Sequence, residues 1–69
     1  MNEKILYITD TQRLFDDREY TVITEQRGNA YVTSVYISGY NYAGEIETAR
    51  TNCTDLAEDQ HLSFVAMYS

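Results

Sequence analysis

The 69-residue chain has no proline, no tryptophan and one cysteine, Cys53. A single cysteine cannot close an internal disulfide, which suits a reducing compartment, so a cytoplasmic location is expected. Glycine is also scarce: Gly28, Gly39 and Gly44 are too scattered for a phosphate-cradling loop. Bases are few, five against eleven acids, for a formal net charge of −6. A phosphate backbone repels such a surface, so direct nucleic-acid binding is not expected. Anionic membrane surfaces are disfavoured for the same reason. No apolar run approaches spanning length, and the first ten residues lack the basic and apolar regions of a signal peptide.

Reactive groups are equally thin. Asp16, Asp17 and Glu19 cluster in sequence, and paired carboxylates can perform acid–base work, but adjacent residues point apart. Cys53 and His61 offer the elements of a thiol–imidazole pair, yet neither lies in a nucleophile motif. Cys53 is expected on a buried helical stripe as a small apolar group. Two potential ligands do not make a structural zinc site. No catalytic set, metal site or cofactor is expected, and the chain does not read as an enzyme. Asn52-Cys53-Thr54 matches a glycosylation acceptor pattern, which in a cytosolic protein is chance.

What is present is enough to fold. The hydrophobic fraction is 43%, and seven residues are tyrosine. The length allows one domain spanning residues 1–69, and a chain this short buries only about 60% of its unfolded surface. Arg18 to Ser38 organises the rest as a β-hairpin. Gly28-Asn29 forms its two-residue loop, because glycine takes positive φ at the first central position without strain. That placement pairs Arg27 with Ala30, Val22 with Val35 and Tyr20 with Ile37. Tyr20, Val22, Thr24, Tyr31, Thr33, Val35 and Ile37 then share the face expected to enter the core. The opposite face is mixed, with Ile23, Val32 and Tyr36 among hydroxyls and Glu25.

Residues 4–9 (KILYIT) read as a strand, apolar on both faces and suited to a central position. Leu14 and Phe15 are expected to plug one edge of the core, with Asp16, Asp17 and Glu19 in water. Residues 38–44 (SGYNYAG) read as a loop carrying Tyr40 and Tyr42. Over Glu45 to Asp59, the spacing of Ile46, Ala49, Cys53, Leu56 and Ala57 predicts one helix. Its competitor is a strand over Ile46 to Arg50, then a short helix capped at Thr54. His61 to Tyr68 reads as a closing strand. The expected order is β-β-β-α-β, an α+β domain whose single helix packs on one face of a mainly antiparallel sheet. The second sheet face is left only partly covered, a place for a partner.

Tyr20, Tyr31, Tyr36, Tyr40, Tyr42 and Tyr68 cannot all be buried in so small a core. Tyrosine supplies large contact area at low entropic cost and is enriched at binding hot spots. Exposed rings beside carboxylates also imitate the bases and phosphates of a nucleic acid, so a DNA mimic is one form the surface could take. The expected function is a non-enzymatic acidic interaction module docking on a basic protein surface, such as that of a nucleic-acid-binding protein. Tyr36, Tyr40, Tyr42, Glu25, Asp16 and Asp17 form the expected contact set. In size and composition alone, with no shared motif, the profile is that of phage-encoded inhibitors of host defence, anti-CRISPR proteins among them. The alternative is an assembly module, a homodimer formed through the sheet.

Overall fold

A computed structural model describes residues 4–13, 18–39 and 42–69. Four strands, β1 (Lys4–Arg13), β2 (Arg18–Arg27), β3 (Ala30–Gly39) and β4 (Tyr42–Thr51), precede one helix, α1 (Thr54–Met67). The strands form a single antiparallel sheet in the order β1-β2-β3-β4, so each pairs with its neighbour in sequence. The domain is α+β, with one helix packed on one face of the sheet.

The central hairpin has the expected register, with Tyr20 opposite Ile37, Val22 opposite Val35 and Arg27 opposite Ala30. Gly28 has φ +61 and leads the turn, in the left-handed region that residues with a Cβ occupy only under strain. The expected inner face is the face under α1. Tyr20, Val22, Thr24, Thr33, Val35 and Ile37 are all buried, and Tyr20, Val22, Val35, Ile37 and Phe64 form the apolar core.

The second half of the chain departs from the expected order. The observed succession is β-β-β-β-α, and neither a helix over Glu45 to Asp59 nor a closing strand over His61 to Tyr68 is present. Residues 42–51 extend the sheet instead. Tyr42, Ala43 and Gly44, expected in a loop, already pair with β3. The strand was hard to read because it lacks apolar alternation: Glu47, Ala49 and Thr51 lie opposite Val35, Thr33 and Tyr31, while Thr48 and Arg50 point the other way. A register shift between Val35 and Tyr36 leaves Ile46 as the extra residue on β4. The competing strand-then-helix reading lies closer to the observed structure.

The helix starts where low-propensity residues end. Cys53 is the N-cap residue, with extended φ −144 and ψ 162, and its carbonyl accepts the first helical bond from the Ala57 N–H at 3.0 Å. Cys53 is exposed, not buried on an apolar stripe. Asp55 lies in the first turn, where the helix dipole favours a negative charge. From there no glycine or proline interrupts the chain, and Leu, Ala, Glu, Gln and Met favour helix. Ala57, His61, Phe64 and Tyr68 recur at steps of four, three and four and turn toward the sheet. That helical period competes with the two-residue alternation of Leu62, Phe64, Ala66 and Tyr68, and the continuous helix wins.

β1 is an edge strand, not a central one. Leu6 is the extra residue where its register with β2 shifts, and from Tyr7 to Arg13 the ladder is unbroken. Leu14 and Phe15 lie outside the described residues.

Candidate interaction surface and a buried histidine

The sheet has two unlike faces. Under α1, a polar chain runs through the packed layer. His61 is buried, and both its ring nitrogens meet threonine hydroxyls: Nε2 lies 2.9 Å from Thr9 Oγ1, and Nδ1 lies 2.9 Å from Thr24 Oγ1. Thr24 Oγ1 in turn lies 2.9 Å from Thr33 Oγ1. The Tyr7 ring sits beside the imidazole, centroids 5.5 Å apart. Neutral histidine carries one donor and one acceptor nitrogen, and hydroxyls can supply either role. Both neutral tautomers therefore satisfy the chain. Burial lowers the His61 pKa below its ordinary value of 6.5, because the charged ring would lose its hydration.

A hydroxyl against an imidazole is also the geometry of an activated nucleophile. Here Thr24 is fully buried and His61 nearly so, and no substrate reaches either in this conformation. Cys53 is not His61's partner. It lies eight residues away at the helix start, about 12 Å along the axis, and both imidazole nitrogens are already engaged. Among the described residues no group of three His, Cys, Asp or Glu side chains is placed to hold a metal.

At the other end of the helix, the Tyr68 ring packs tilted against Tyr20, centroids 4.8 Å apart, and its hydroxyl donates to the Glu47 carboxylate. Thr11 Oγ1 donates to the Tyr68 carbonyl at 2.8 Å. Thr9 and Thr11 thus bind the edge strand to the helix, so α1 is anchored to β1 largely by polar contacts.

Among the described residues no helix covers the opposite face. Strand alternation and register place Ile8 beside Ile23 there, then Ser34 and Thr48. In the adjoining rows Val32 lies between Glu25 and Arg50, and Tyr36 between Thr21 and Glu45. Ile8 is 57% exposed, while Ile23, Val32 and Tyr36 are half-buried. Ser34 is buried and hydrogen-bonds Thr48 at 3.1 Å, a small polar floor between larger apolar side chains. Thr21 donates to Asp10 at 2.8 Å. Glu25 pairs with Arg27 at 3.0 Å, so part of its charge is answered within the chain.

Of the expected contact set, Tyr36 and Glu25 do lie on this one face, on adjacent strands. Asp16, Asp17 and Tyr40 lie outside the described residues. Tyr42 opens β4, and its side chain is likewise outside them. Glu19 is exposed, as expected. Two features were missed from sequence. The apolar exposure of β1 was hidden because its pattern suits an interior strand. The role of His61 was hidden by assigning it to a strand, although its spacing from Ala57 and Phe64 carried the signal.

No helix among the described residues is long and apolar enough to cross a membrane. Comparison with protein-family models, with curated proteins and with solved structures finds no match for this chain.

Proposed function

We propose that the chain acts by surface contact, as an acidic module that docks its helix-free sheet face on a basic patch of a partner protein. The observation that carries this reading is the composition of that face. Ile8, Ile23, Val32 and Tyr36 form an apolar centre, and Asp10, Glu19, Glu25 and Glu45 surround it against Arg27 and Arg50. An apolar centre with a charged rim is the anatomy of a protein interface. The net charge of −6 selects a basic partner and speeds encounter with it. In its finer form the module is an inhibitor, occupying the nucleic-acid groove of an enzyme or host-defence protein as a DNA mimic, in the manner of phage anti-CRISPR proteins. Net charge and tyrosine content support that form.

The test is capture from cell lysate with three immobilised proteins: the parent chain, a Val32→Ala/Tyr36→Ala variant, and Leu62→Lys, which alters the outer side of α1. The expected partner is basic, elutes with moderate salt, and is retained by Leu62→Lys. It is lost from the sheet-face variant, with a weakening on the order of thirty-fold if Tyr36 is a hot spot of about 2 kcal/mol. A neutral partner indifferent to salt, or one lost only from Leu62→Lys, overturns the reading.

A second reading, a structural module that assembles through its sheet, draws on the apolar side chains exposed along β1.

A further inference from the structure

The charges on the open face of the sheet are sorted along the strands. The row Ile8–Ile23–Ser34–Thr48 crosses the middle of that face. The next row to one side is Asp10–Thr21–Tyr36–Glu45, with Glu19 beyond it. The next row to the other side is Ile5–Glu25–Val32–Arg50, with Arg27 beyond it. Asp10, Glu19 and Glu45 thus hold one end, and Arg27 and Arg50 hold the other. Among the described residues Glu25 is the one acid at the basic end, and it is paired with Arg27.

Positions equally far from the middle row are opposites. On β2, Glu19 and Arg27 stand four residues either side of Ile23, and Thr21 and Glu25 stand two. On β4, Glu45 and Arg50 flank Thr48, because the extra residue Ile46 keeps Glu45 in the row of Tyr36. On β3, two apolar groups, Val32 and Tyr36, flank Ser34. A face that carries acid at one position and base at its reflection becomes complementary to itself after a half-turn.

We propose that the open face is a self-association surface, where a second copy packs sheet on sheet about a two-fold axis running across the strands along the middle row. The half-turn brings Glu45 over Arg50 of the second copy and Glu19 over its Arg27, and each pairing occurs twice. Tyr36 comes over Val32 of the second copy, and Ile8 and Ile23 come over their counterparts. Apolar groups then meet in the centre and ion pairs close the rim. Charge also selects this axis over a two-fold along the strands, which would lay acid end on acid end with Glu45 over Asp10. Among the described residues the face carries four acids against two bases, and each copy is −6 overall. The placing of the charges favours the pairing, not their sum, and repulsion between whole copies opposes it.

Face-to-face sheets lie about 10 Å apart, a gap that an arginine and a glutamate span together. α1 packs on the other side of each sheet, so both helices finish outside and do not collide. At ordinary strand dimensions the face measures about 19 Å by about 26 Å, a small patch, so the dimer is concentration-dependent. The inference rests on the assembly reading, and it makes a second copy the competitor of a basic partner for one face. The tests use the purified chain alone. Their failure leaves the basic-partner reading standing, and a lysate that yields no basic partner leaves the dimer standing.

Sedimentation velocity across a concentration series, at moderate salt to screen repulsion between whole copies, compares the parent with Glu45→Arg, Arg50→Glu and the double reversal. Both residues are exposed on an edge strand, so exchanging them leaves the core untouched. The expected result is a monomer–dimer equilibrium in the parent, weakened about tenfold or more by either single reversal and restored in the double. The direction for Glu45→Arg separates the explanations, since that change makes the chain less acidic and net charge alone would strengthen association. Such strengthening overturns the proposal, as does a double reversal no tighter than the singles, or a parent strictly monomeric at millimolar concentration. Nuclear Overhauser contacts between labelled and unlabelled copies of the unmodified chain give an answer that depends on no variant. Val32 should contact Tyr36 of the other copy, whereas Ile8 against Thr48 of the other copy marks the rejected axis and overturns the site.

Discussion

His61 is the residue on which the helix–sheet contact turns chemically. Its ring is held between Thr9 and Thr24 with no counter-charge among its hydrogen-bond partners, so protonation gains nothing to offset lost hydration. The sign of the pH effect follows. In the unfolded chain the imidazole takes a proton near its ordinary 6.5, and in the folded chain only at lower pH. Between those two values the unfolded state binds more protons, so stability falls as the solution is acidified below about 6.5 and levels off beneath the lowered folded value. Urea unfolding of the parent and of His61→Gln across this range checks it. The midpoint of the parent should slide downward with pH, and the slope attributable to this residue should vanish in the variant. The hydroxyl chain makes a second prediction. Thr24→Val keeps shape but leaves His61 Nδ1 and the Thr33 hydroxyl without their shared partner, at a cost of about 1–3 kcal/mol. Replacing Thr24 and Thr33 by Val and His61 by Leu together should cost less than the sum of the single changes, because the one hydroxyl left without its partner is that of Thr9, which is only half-buried. Gly28→Ala meets no steric neighbour, so its expected loss of about 1–2 kcal/mol comes from the positive φ alone.

Helix α1 is the element that turns a sheet into a domain. Phe64 is the large apolar side chain that α1 sends into the core beneath Tyr20, Val22, Val35 and Ile37. Phe64→Ala should cost about 3–5 kcal/mol, against a total of about 3–10 kcal/mol for a chain of this length. Thermal unfolding followed by circular dichroism should find the variant mostly unfolded near physiological temperature. The elements also differ in how far they could be read from the chain. In β2 and β3, turn chemistry, β-branched residues and period-two burial all agree, so Gly28-Asn29 fixed both register and inner face. In β4 those signals disagree: its inner positions are Glu47, Ala49 and Thr51, and Ile46 belongs to a bulge. An edge strand covered by one helix does not need the apolar alternation that would announce it. In α1 two periods coexist over Leu62 to Tyr68, and only the uninterrupted run from Thr54 separates helix from strand. The site was legible only where the fold was. Tyr36 and Glu25 share a face because the hairpin register was right, whereas the exposed β1 side chains required the strand order, which no local pattern supplies.

The whole molecule is held together by contacts between sequence neighbours. Every strand pair is a hairpin, and α1 crosses back over strands already assembled. That topology brings little loop-closure cost and suits rapid, cooperative folding. It also means that the four strands leave the ribosome before α1, the element that covers them. Until α1 is made, Val22, Val35 and Ile37 have water on the side where Phe64 will lie, and neither face of the nascent sheet is dry. A chain cut after Thr51 should therefore expose this half-built surface and precipitate or bind a hydrophobic dye. Supplying residues 52–69 as a separate peptide should restore solubility if the sheet alone holds its register. For this protein the segment translated after the sheet decides whether the four strands before it are a folded unit or a sticky ribbon.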